Sequence, residues 1–569
     1  MKFAHDLPFG ATLGADGNTR FRIWAPSAPS LDLMIGGVAK PMQAEAGGWH
    51  SLTCLAPAGT QYQYRLPDGL LVPDPASRQQ ATDVHDPSVV VDPNTYEWQH
   101  GDWTGRPWHE SVIYEAHTGL MGGFSGVRAR LPELKALGIT VLELMPIADF
   151  PGTRNWGYDG VLPYAPDTAY GTPDELKALI DAAHGHGISV MLDLVYNHFG
   201  PDGAYMHVYA KPFFNEAKHS AWGAEIDFAR TEVRDFFAHN ALYWMQEYRF
   251  DGFRYDAVQA ISEEDFLPEM IGRLRLASPG RHVHLVMEHD NNRARLLRGP
   301  GPHFDAQWAD DWHHSMHVLL TGETEGYYED FEDATALMAR VLAEGFAYQG
   351  ERSRHSGRPR GESTATLEPS SFITFLQNHD QTGNRALGER EITLASPDRL
   401  EAATALLLLS PMIPLLFMGE EDGTTTPFLF FTDHHGALAE LVRKGRRREF
   451  RHFRAFSDES VRDRIPDPND VGTFERSVPD RPDPAMRERI QHLLALRREY
   501  VTPGIPRARS LGAAVIGDRA IRAAWRLGTH QTLTITIDLA DTPARLPPAL
   551  LPAEQLLFTT PRITVRLGA

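Results

Sequence analysis

Residues 173–198 read PDELKALIDAAHGHGISVMLDLVYNH, a helical stretch followed by a short apolar run that ends in polar residues. The helical part begins with an early proline in the sequence GTPD, a typical helix start. The apolar run has the length of a buried strand. A helix that leads into a buried strand is the repeating unit of parallel sheets. This unit decides the fold prediction because a large part of the chain repeats it.

Seven other apolar runs of this kind occur between residues 103 and 421, most of them separated by helical stretches. They are SVIYEAHTG, TVLELMPIADF, FDGFRYDAV, HVHLVMEHD, FDAQWADD, SSFITFLQNHD and IPLLFMGEE. Eight parallel βα units predict an α/β fold, a closed (β/α)8 TIM barrel over residues 101–500. The amphipathic pattern of MRERIQHLLALRREY predicts the helix that closes the barrel.

The two ends of the chain have a β-like pattern instead. TRFRIWAP, SLDLMIGG, GWHSLTCL and QYQYRLP cluster β-formers between turn residues, and they predict an N-terminal β-sandwich over residues 1–100. The proline-rich stretch PDPASRQQATDVHDPSVVVDP is predicted to be a linker that lies over the next domain. AAVIGDRAIRAAWRLG and QTLTITIDLA predict a small C-terminal β domain over residues 501–569.

Composition narrows the range of partners. The chain has 569 residues and a net charge of −20, which argues against nucleic acid because binding a polyanion needs a basic surface. Its one cysteine, Cys54, cannot form an intramolecular disulfide, and the start of the chain lacks the apolar core of a secretory signal. No run approaches the roughly 20 apolar residues of a membrane span. We therefore expect a cytoplasmic protein that does not bind membranes.

Three carboxylates follow predicted strands: Asp256, Glu288 and Asp380. Glycoside hydrolysis needs one carboxyl group to protonate the leaving oxygen and another to attack the sugar or activate water. A third charge can stabilise the transition state. Arg254 shares a strand face with Asp256 and would keep it ionised, as a nucleophile requires. Glu288 follows an unbroken apolar run, and burial raises the pKa of a carboxyl group, as a general acid requires.

Further polar residues accompany these carboxylates. Asp193, Asn197 and His198 stand at the end of LDLVYNH, and His379 beside Asp380 is a donor suited to sugar hydroxyls. A single acidic residue after a strand is more often the cap of the next helix. Four polar clusters on successive βα units are harder to explain as caps. We therefore predict one active site at the C-terminal face of the barrel.

The sequence resembles the α-amylase family of glycoside hydrolases. LDLVYNH, GFRYDAV, the glutamate of LVMEH and FLQNHD look like the four sequence regions of that family, in order. The resemblance implies that Asp256 is the nucleophile, Glu288 the acid/base and Asp380 the transition-state stabiliser. It also implies that the nucleophile and the sugar hydroxyls are held by Arg254, His198 and His379. Tyr158 in NWGYDG resembles the tyrosine that stacks on the sugar being cleaved.

Four further segments look like the trehalohydrolase group of this family. They are FDAQWADDWHHSMHVLLTGETEGYYEDF, FLQNHDQTGNRALGER, FFTDHHGALAELVRKGRRREF and RIPDPNDVGTF. This resemblance covers nearly the whole chain and implies hydrolysis of the α-1,4 bond next to the terminal trehalose unit of maltooligosyltrehalose. Two residues depart from the expected pattern. Tyr255 replaces an aliphatic residue on the outward strand face, and Gln259 replaces a basic residue or a histidine on the leaving-group side.

Several other features carry weaker predictions. His313, His314 and His317 have a helical spacing that could seat a metal, but a polar face near the sugar cleft is the better interpretation. Asp310 and Asp311 are candidates for contact with sugar hydroxyls. The tryptophans Trp156 and Trp308 serve equally well as sugar platforms or as packing residues. The basic run KGRRREF is interpreted as a solvated helix face.

The residues thus predict a retaining glycoside hydrolase without a cofactor or metal, and the resemblance implies that it acts on maltooligosyltrehalose. Its partner is the α-1,4-glucan substrate, with a metabolic link to a synthase that forms the trehalose end. A glycogen branching or debranching enzyme of the same family is the nearest alternative. A non-catalytic barrel that only binds glucan, and a metal-dependent hydrolase that uses the histidine cluster, are the others.

Overall fold

The computed structural model describes residues 1–220, 223–299, 301–481, 483–543 and 554–568. Nine short strands lie in the first ninety residues: β1 (Gly10–Leu13), β2 (Asn18–Trp24), β3 (Asp32–Ile35), β4 (Val38–Pro41), β5 (Gln43–Ala44), β6 (Trp49–Leu55), β7 (Gln61–Arg65), β8 (Leu71–Val72) and β9 (Ser88–Val89). They form two sheets, β1-β2-β6-β5 and β4-β3-β7-β8, with β9 paired to β7. Phe21 of one sheet meets Tyr62 of the other at 4.7 Å between ring centroids. The predicted β-sandwich is confirmed.

The middle of the chain forms a closed parallel barrel. The strands of this region are β10 (Ile113–Ala116), β11 (Val141–Leu144), β12 (Ala148–Asp149), β13 (Leu162–Pro166), β14 (Ser189–Leu194), β15 (Phe214–Ser220), β16 (Gly223–Ile226), β17 (Gly252–Tyr255), β18 (His284–Met287), β19 (Ala306–Trp308), β20 (Phe372–Thr374) and β21 (Ile413–Phe417). The barrel order is β10-β11-β14-β17-β18-β19-β20-β21, and β21 pairs back to β10. Each barrel strand lies in one of the eight predicted runs, so the barrel prediction is confirmed.

Helices surround the barrel and connect its strands. They are α1 (Gly123–Leu137), α2 (Pro173–Gly185), α3 (Met206–Tyr209), α4 (Thr231–Gln246), α5 (Phe266–Ala277), α6 (Asp310–Thr321), α7 (Ala334–Glu344), α8 (His379–Gly383), α9 (Glu391–Leu394), α10 (Pro397–Leu409), α11 (Gly436–Glu449), α12 (Glu459–Arg462), α13 (Val471–Glu475) and α14 (Pro484–Leu496). The predicted start of α2 is confirmed: Thr172 and Glu175 form a capping box, with Pro173 in the first turn.

The barrel interior changes from apolar to polar along its axis. An apolar cluster fills its lower part and includes Ile113, Val141, Met191 and Val286. Because strand side chains alternate, the residues two positions later face the same interior. Those positions on the first three strands are Glu115, Glu143 and Asp193. The apolar layer therefore forms the floor of a polar, charged layer at the C-terminal end.

A five-stranded antiparallel sheet follows the barrel. Its strands are β22 (Arg509–Gly517), β23 (Ala520–Arg526), β24 (Thr532–Asp538), β25 (Gln555–Thr559) and β26 (Ile563–Gly568), in the order β22-β23-β24-β26-β25. The predicted C-terminal β region is confirmed. The predicted closing helix is α14, which continues through a π-helical turn at Arg497–Val501.

The proline-rich stretch after β8 lies against its neighbours. Arg78 is buried and donates hydrogen bonds to the carbonyls of Ala11 and His5. The carboxylate of Asp83 accepts from the amide of Gly152, beside the barrel strand ends. The middle of the stretch therefore contacts the barrel as predicted, whereas its end is not a linker, because β9 pairs with β7 of the N-terminal sheet. Within the described residues, no helix combines the length and apolarity needed to cross a bilayer.

Candidate active site

The three predicted catalytic carboxylates meet at the C-terminal face of the barrel. Asp256 directly follows β17, Glu288 directly follows β18, and Asp380 is the second residue of α8 after β20. The side chains of Asp256 and Glu288 are 12% and 19% exposed, and that of Asp380 is 31% exposed. All three are thus largely desolvated while keeping some access to solvent. Barrel enzymes build their active sites at this end.

Arg254 holds two of these carboxylates together. Its side chain is fully buried, and one guanidinium nitrogen lies 2.9 Å from Asp256 Oδ1 and 2.6 Å from Asp193 Oδ2. The other terminal nitrogen lies 2.7 Å from Glu288 Oε2. The planar fork of an arginine fixes the relative orientation of the groups that it binds. Arg254 therefore sets the spacing between Asp256 and Glu288.

The surroundings of the two carboxyl groups distinguish them. Burial raises the pKa of Glu288 to about 7, against a lowering by Arg254. Burial also raises the pKa of Asp256, while Arg254 and a hydrogen bond from Asn197 oppose that shift. The sequence predicted the opposing effect of Arg254 but not the burial of Asp256. A pKa near 7 suits Glu288 to proton transfer at neutral pH.

The turn between the two strands contributes a backbone donor. Ala257, directly after Asp256, has a φ of 40°, a left-handed conformation that is unfavourable for a residue with a Cβ atom. In this conformation its amide donates to Glu288 Oε2 at 2.9 Å. The turn therefore orients the oxygen of Glu288 that also contacts Arg254.

The NWGYDG segment and the end of β14 form the opposite wall. The hydroxyl of Tyr158 donates to Asp193 Oδ2 at 2.5 Å, and its ring stacks on His379 with 4.9 Å between centroids. His198 contacts the side chain of Asn197 and the carbonyl oxygen of Tyr158. Burial lowers the pKa of His198 to about 4, so this imidazole is neutral at pH 7. The structure thus brings these predicted residues together around Asp256.

His379 carries charge at the same face. Its Nδ1 and its backbone amide both bind the carboxylate of Glu115, on the neighbouring side of the barrel. Despite burial, the nearby carboxylates Asp380 and Glu115 raise the pKa of His379 to about 9. His379 is therefore a cationic donor at neutral pH, held 3.5 Å from Asp380 Oδ2.

The two tryptophans are packing residues in this structure. Trp156 is 4% exposed, stacks on Phe428 and donates from its indole to the carbonyl of Leu429. Trp308 is 1% exposed and lies beneath the Arg254 guanidinium. The central carbon of that guanidinium is 4.3 Å from the centroid of the Trp308 ring. Of the two alternatives, the structure favours packing over a sugar platform, because both rings are covered by side chains.

The two aspartates at the start of α6 differ in position. Asp310 lies at the cleft, 3.3 Å from Gln381, and burial raises its pKa to about 8. Asp311 is fully buried and binds Arg360 and the amide of Ala347. The expectation that Asp311 contacts sugar hydroxyls is therefore wrong, because these internal partners take up its carboxylate.

The two departures from the family pattern also have defined positions. Tyr255 is buried behind the strand, against Tyr196 and Phe304, as its outward face predicted. Gln259 is exposed on the 3-10 turn Val258–Ala260 that follows Asp256.

In the histidine cluster on α6, His313 and His317 bind other side chains and backbone groups inside the protein. His313 binds the carbonyl of Leu376 and the hydroxyl of Tyr328. His317 lies between Glu391 and Glu323, both at 2.9 Å. His313 and His317 are buried, so this is an internal network of ion pairs and hydrogen bonds, and the expected polar face at the sugar cleft is wrong for these two residues.

Three residues at or next to the site were not predicted from the sequence. Glu115 and Glu143 are buried carboxylates inside the barrel, and Arg446 donates to the carbonyls of Gly383 and Arg385 at the end of α8. The signal for the first two was a charged residue in the middle of an apolar strand. Arg446 corrects the interpretation of KGRRREF as a solvated face, because α11 packs this arginine beneath the segment that carries Asp380.

Comparisons with known proteins agree with this geometry. The family model of the α-amylase catalytic domain matches residues 92–222, and a domain of unknown function, DUF3459, matches residues 508–568. A malto-oligosyltrehalose trehalohydrolase from Deinococcus radiodurans is 37% identical over 98% of this chain and 95% of its own. The chain belongs to the malto-oligosyltrehalose trehalohydrolase family, within the α-amylase family.

Two further relatives extend this comparison. A malto-oligosyltrehalose trehalohydrolase from Saccharolobus solfataricus is 40% identical over 78% of this chain and 80% of its own. A crystal structure assigned as an α-amylase from Salmonella typhimurium is 42% identical and has a TM-score of 0.93 over 99% of this chain and 100% of its own. The Deinococcus relative, which covers 98% of this chain, extends the trehalohydrolase match through both β regions as well as the barrel.

Proposed function

We propose that this chain hydrolyses the α-1,4-glucosidic bond next to the terminal trehalose unit of maltooligosyltrehalose and releases trehalose. The observation that carries the proposal is the Arg254 fork, which binds Asp256 and Glu288 at adjacent strand ends. The curated relatives at 37% and 40% identity bear the name of this activity. The four motifs of the α-amylase family supply the general chemistry, and the whole-chain similarity supports the specific substrate.

The proposed reaction proceeds in two steps with retention of configuration. Asp256 attacks the anomeric carbon while Glu288 donates its proton to the departing oxygen of the trehalose unit. Glu288 then takes a proton from water, whose oxygen displaces Asp256 and frees the maltooligosaccharide. Asp380 stabilises the positive charge that develops on the sugar ring. His379, His198 and Tyr158 position the ring, and Asp193 and Asn197 hold Arg254 and Asp256.

Retention is favoured by the bridge between the two carboxylates. In retaining enzymes the carboxyl groups are about 5 Å apart, whereas inverting enzymes leave several ångströms more for a water molecule. A single guanidinium group contacts Asp256 and Glu288 at 2.9 and 2.7 Å, which favours the shorter spacing. The raised pKa of Glu288, about 7, agrees with its proposed role as the acid.

Product analysis after incubation with maltotriosyltrehalose tests the substrate, with maltopentaose as the matched control. We expect free trehalose and maltotriose, with maltopentaose cut much more slowly. Equal cleavage or rearrangement of maltopentaose would support a branching or debranching enzyme instead. Binding of either sugar without turnover would support the non-catalytic barrel.

Other parts of the proposal concern specificity and cell context. We propose that Asp310 and Gln259 contact sugar hydroxyls. The domains are proposed to be a carbohydrate-binding-like region over residues 1–100, a catalytic barrel over 101–500 and a C-terminal domain over 501–569. With a single cysteine, the chain fits the reducing cytoplasm. Its substrate would come from a maltooligosyltrehalose synthase.

A further inference from the structure

A buried carboxyl group with no use in the proposed reaction lies beneath the site. Glu143 is 1% exposed and stands on β11, two residues after Val141 of the apolar floor. Its side chain therefore faces the barrel axis. Within the described part of the chain, neither of its carboxyl oxygens has a hydrogen-bond partner. An ionised carboxylate in that position would carry a large desolvation cost.

Among the residues that the structure describes, the groups around Glu143 offer it no free cation. In the strand register Glu143 pairs with Glu115 on β10 and with Met191 on β14. Asp193 lies on β14 two residues beyond Met191, diagonally across from Glu143. Arg254 is occupied by Asp193, Asp256 and Glu288. His379 is occupied by Glu115. The charged groups that face Glu143 are thus two carboxylates and two engaged cations.

A second unsatisfied atom lies in the same layer. Asp193 is 3% exposed, and its Oδ2 accepts from Arg254 and Tyr158, but its Oδ1 has no partner among the described residues. Glu143 and Asp193 face the barrel interior from adjacent parallel strands, two register positions apart, a separation that the long side chain of a glutamate can span. A proton on Glu143 would satisfy both residues, because a carboxylic acid can donate to a carboxylate oxygen.

We propose that Glu143 is a positioning residue, a neutral carboxylic acid that donates a hydrogen bond to Asp193 Oδ1. The donated bond fixes the rotation of the Asp193 carboxylate. Asp193 then holds the Arg254 fork and the Tyr158 hydroxyl, which in turn set the positions of Asp256 and Glu288. Burial and the charges of Glu115 and Asp193 raise the pKa of Glu143 well above its ordinary value, in agreement with a neutral side chain.

The protonation state can be measured without substrate. Infrared difference spectra between the wild-type protein and Glu143→Gln at pH 7 should show the C=O band of a protonated carboxylic acid, shifted in D2O. The matched control is Glu459→Gln, an exposed residue, which should lose a carboxylate band instead. A carboxylate band for Glu143 would overturn the proposal.

Kinetics test the positioning role, which rests on the proposed hydrolysis. Glu143→Met removes the donor at similar volume, and we expect kcat to fall about 10- to 100-fold with little change in KM. Glu143→Gln should restore most of this activity, because its amide can donate to Asp193, and should leave the pH profile unmoved. An acid-ward shift of that profile in Glu143→Gln would mean that a negative charge had been lost, and would overturn the proposal.

The two measurements separate the inference from the proposed function. If the trehalose-ended glucan proves not to be the substrate, the infrared band still decides whether Glu143 is neutral. If Glu143→Met does not fold, Glu143→Gln and its spectrum remain informative. Equal activity of the Met and Gln variants, both folded, would overturn the positioning role alone.

Discussion

At the scale of single residues, the site depends on one buried cation shared among several carboxylates. Arg254 contacts Asp193, Asp256 and Glu288, so the spacing of the reacting groups is set by one planar side chain. The two proposed catalytic carboxylates differ in their other contacts: Asn197 donates to Asp256, and the amide of Ala257 donates to Glu288. Their different roles can therefore be tested one side chain at a time.

Replacement of Asp256 by alanine should abolish turnover, because no nucleophile would remain to form the glycosyl intermediate. We expect kcat to fall by at least about 10⁴-fold. The measurement is product formation from maltotriosyltrehalose, with circular dichroism to verify folding. Asp102→Asn, at an exposed site, is the matched control and should retain activity. Near-normal turnover in a folded Asp256→Ala variant would contradict the mechanism.

Replacement of Glu288 by glutamine should remove the general acid. Its pKa of about 7 predicts that kcat/KM of the wild-type enzyme falls as pH rises through that value, because the acid must be protonated. In the variant, kcat/KM should no longer fall as pH rises through this value. Its loss of activity should be largest on substrates with poor leaving groups. Aryl glycosides with graded leaving groups measure this dependence. Equal losses across the series would count against the acid role.

At the scale of elements, the contacts between strands and helices fix the loops that carry the site. Asp380 lies on α8, and Arg446 of α11 donates hydrogen bonds to the carbonyls of Gly383 and Arg385 at the end of that helix. At the opposite side, the π-helical turn after α14 places Arg497 against the segment between α10 and β21. Arg497 is 1% exposed and donates to the carbonyls of Leu408, Ser410 and Met412.

Replacement of Arg497 by methionine should destabilise the barrel without direct loss of chemistry. Three buried carbonyl oxygens would lose their donor, a cost of about 3 kcal/mol. We expect a lower thermal midpoint and a nearly unchanged KM at low temperature. Arg498→Met, at the exposed neighbouring position, is the control. An unchanged midpoint in Arg497→Met would show that water or rearranged side chains satisfy these carbonyls.

At the scale of the whole molecule, the N-terminal segment is tied to the barrel by a pair of histidines. His5 Nε2 lies 2.9 Å from His239 Nδ1 of α4, and the amide of His5 donates to Glu247. Burial lowers the pKa of His239 to about 4 and also lowers that of His5. Both imidazoles are therefore neutral when the segment is docked at neutral pH.

Acidification should weaken this contact. The unfolded pKa of histidine is near 6.5. The contact between the neutral imidazoles therefore contributes fully to the free energy of unfolding above about pH 6.5. This contribution is lost as the pH falls towards the pKa of His239 in the folded protein, about 4. His239→Gln should reduce the acid-induced loss of stability by about 1 kcal/mol, after allowance for partial exposure. Thermal midpoints at pH 7.5 and 5 measure it, with exposed His435→Gln as the control. Identical pH dependence in His239→Gln would contradict the assignment.

Local patterns along the chain were sufficient to predict the architecture and to locate the proposed catalytic carboxylates. Eight apolar runs with helices between them define a closed parallel barrel, because strand periodicity and connection length are local properties of the chain. Asp256 and Glu288 could be located for the same reason, since each directly follows its strand, and Asp380 lies a few residues beyond β20, at the start of α8. The family motifs then supplied their expected roles.

How these residues influence each other could not be predicted from such patterns, because it depends on contacts that form when the barrel closes. The burial of Asp256, the Glu115–His379 pair and the unsatisfied carboxyl of Glu143 each depend on strands that are distant in sequence. The same holds for Asp311, which the sequence placed at the substrate and the fold turned toward Arg360. Burial and charge pairing are properties of the closed barrel, and a strand pattern shows which face a residue occupies but not what meets it there.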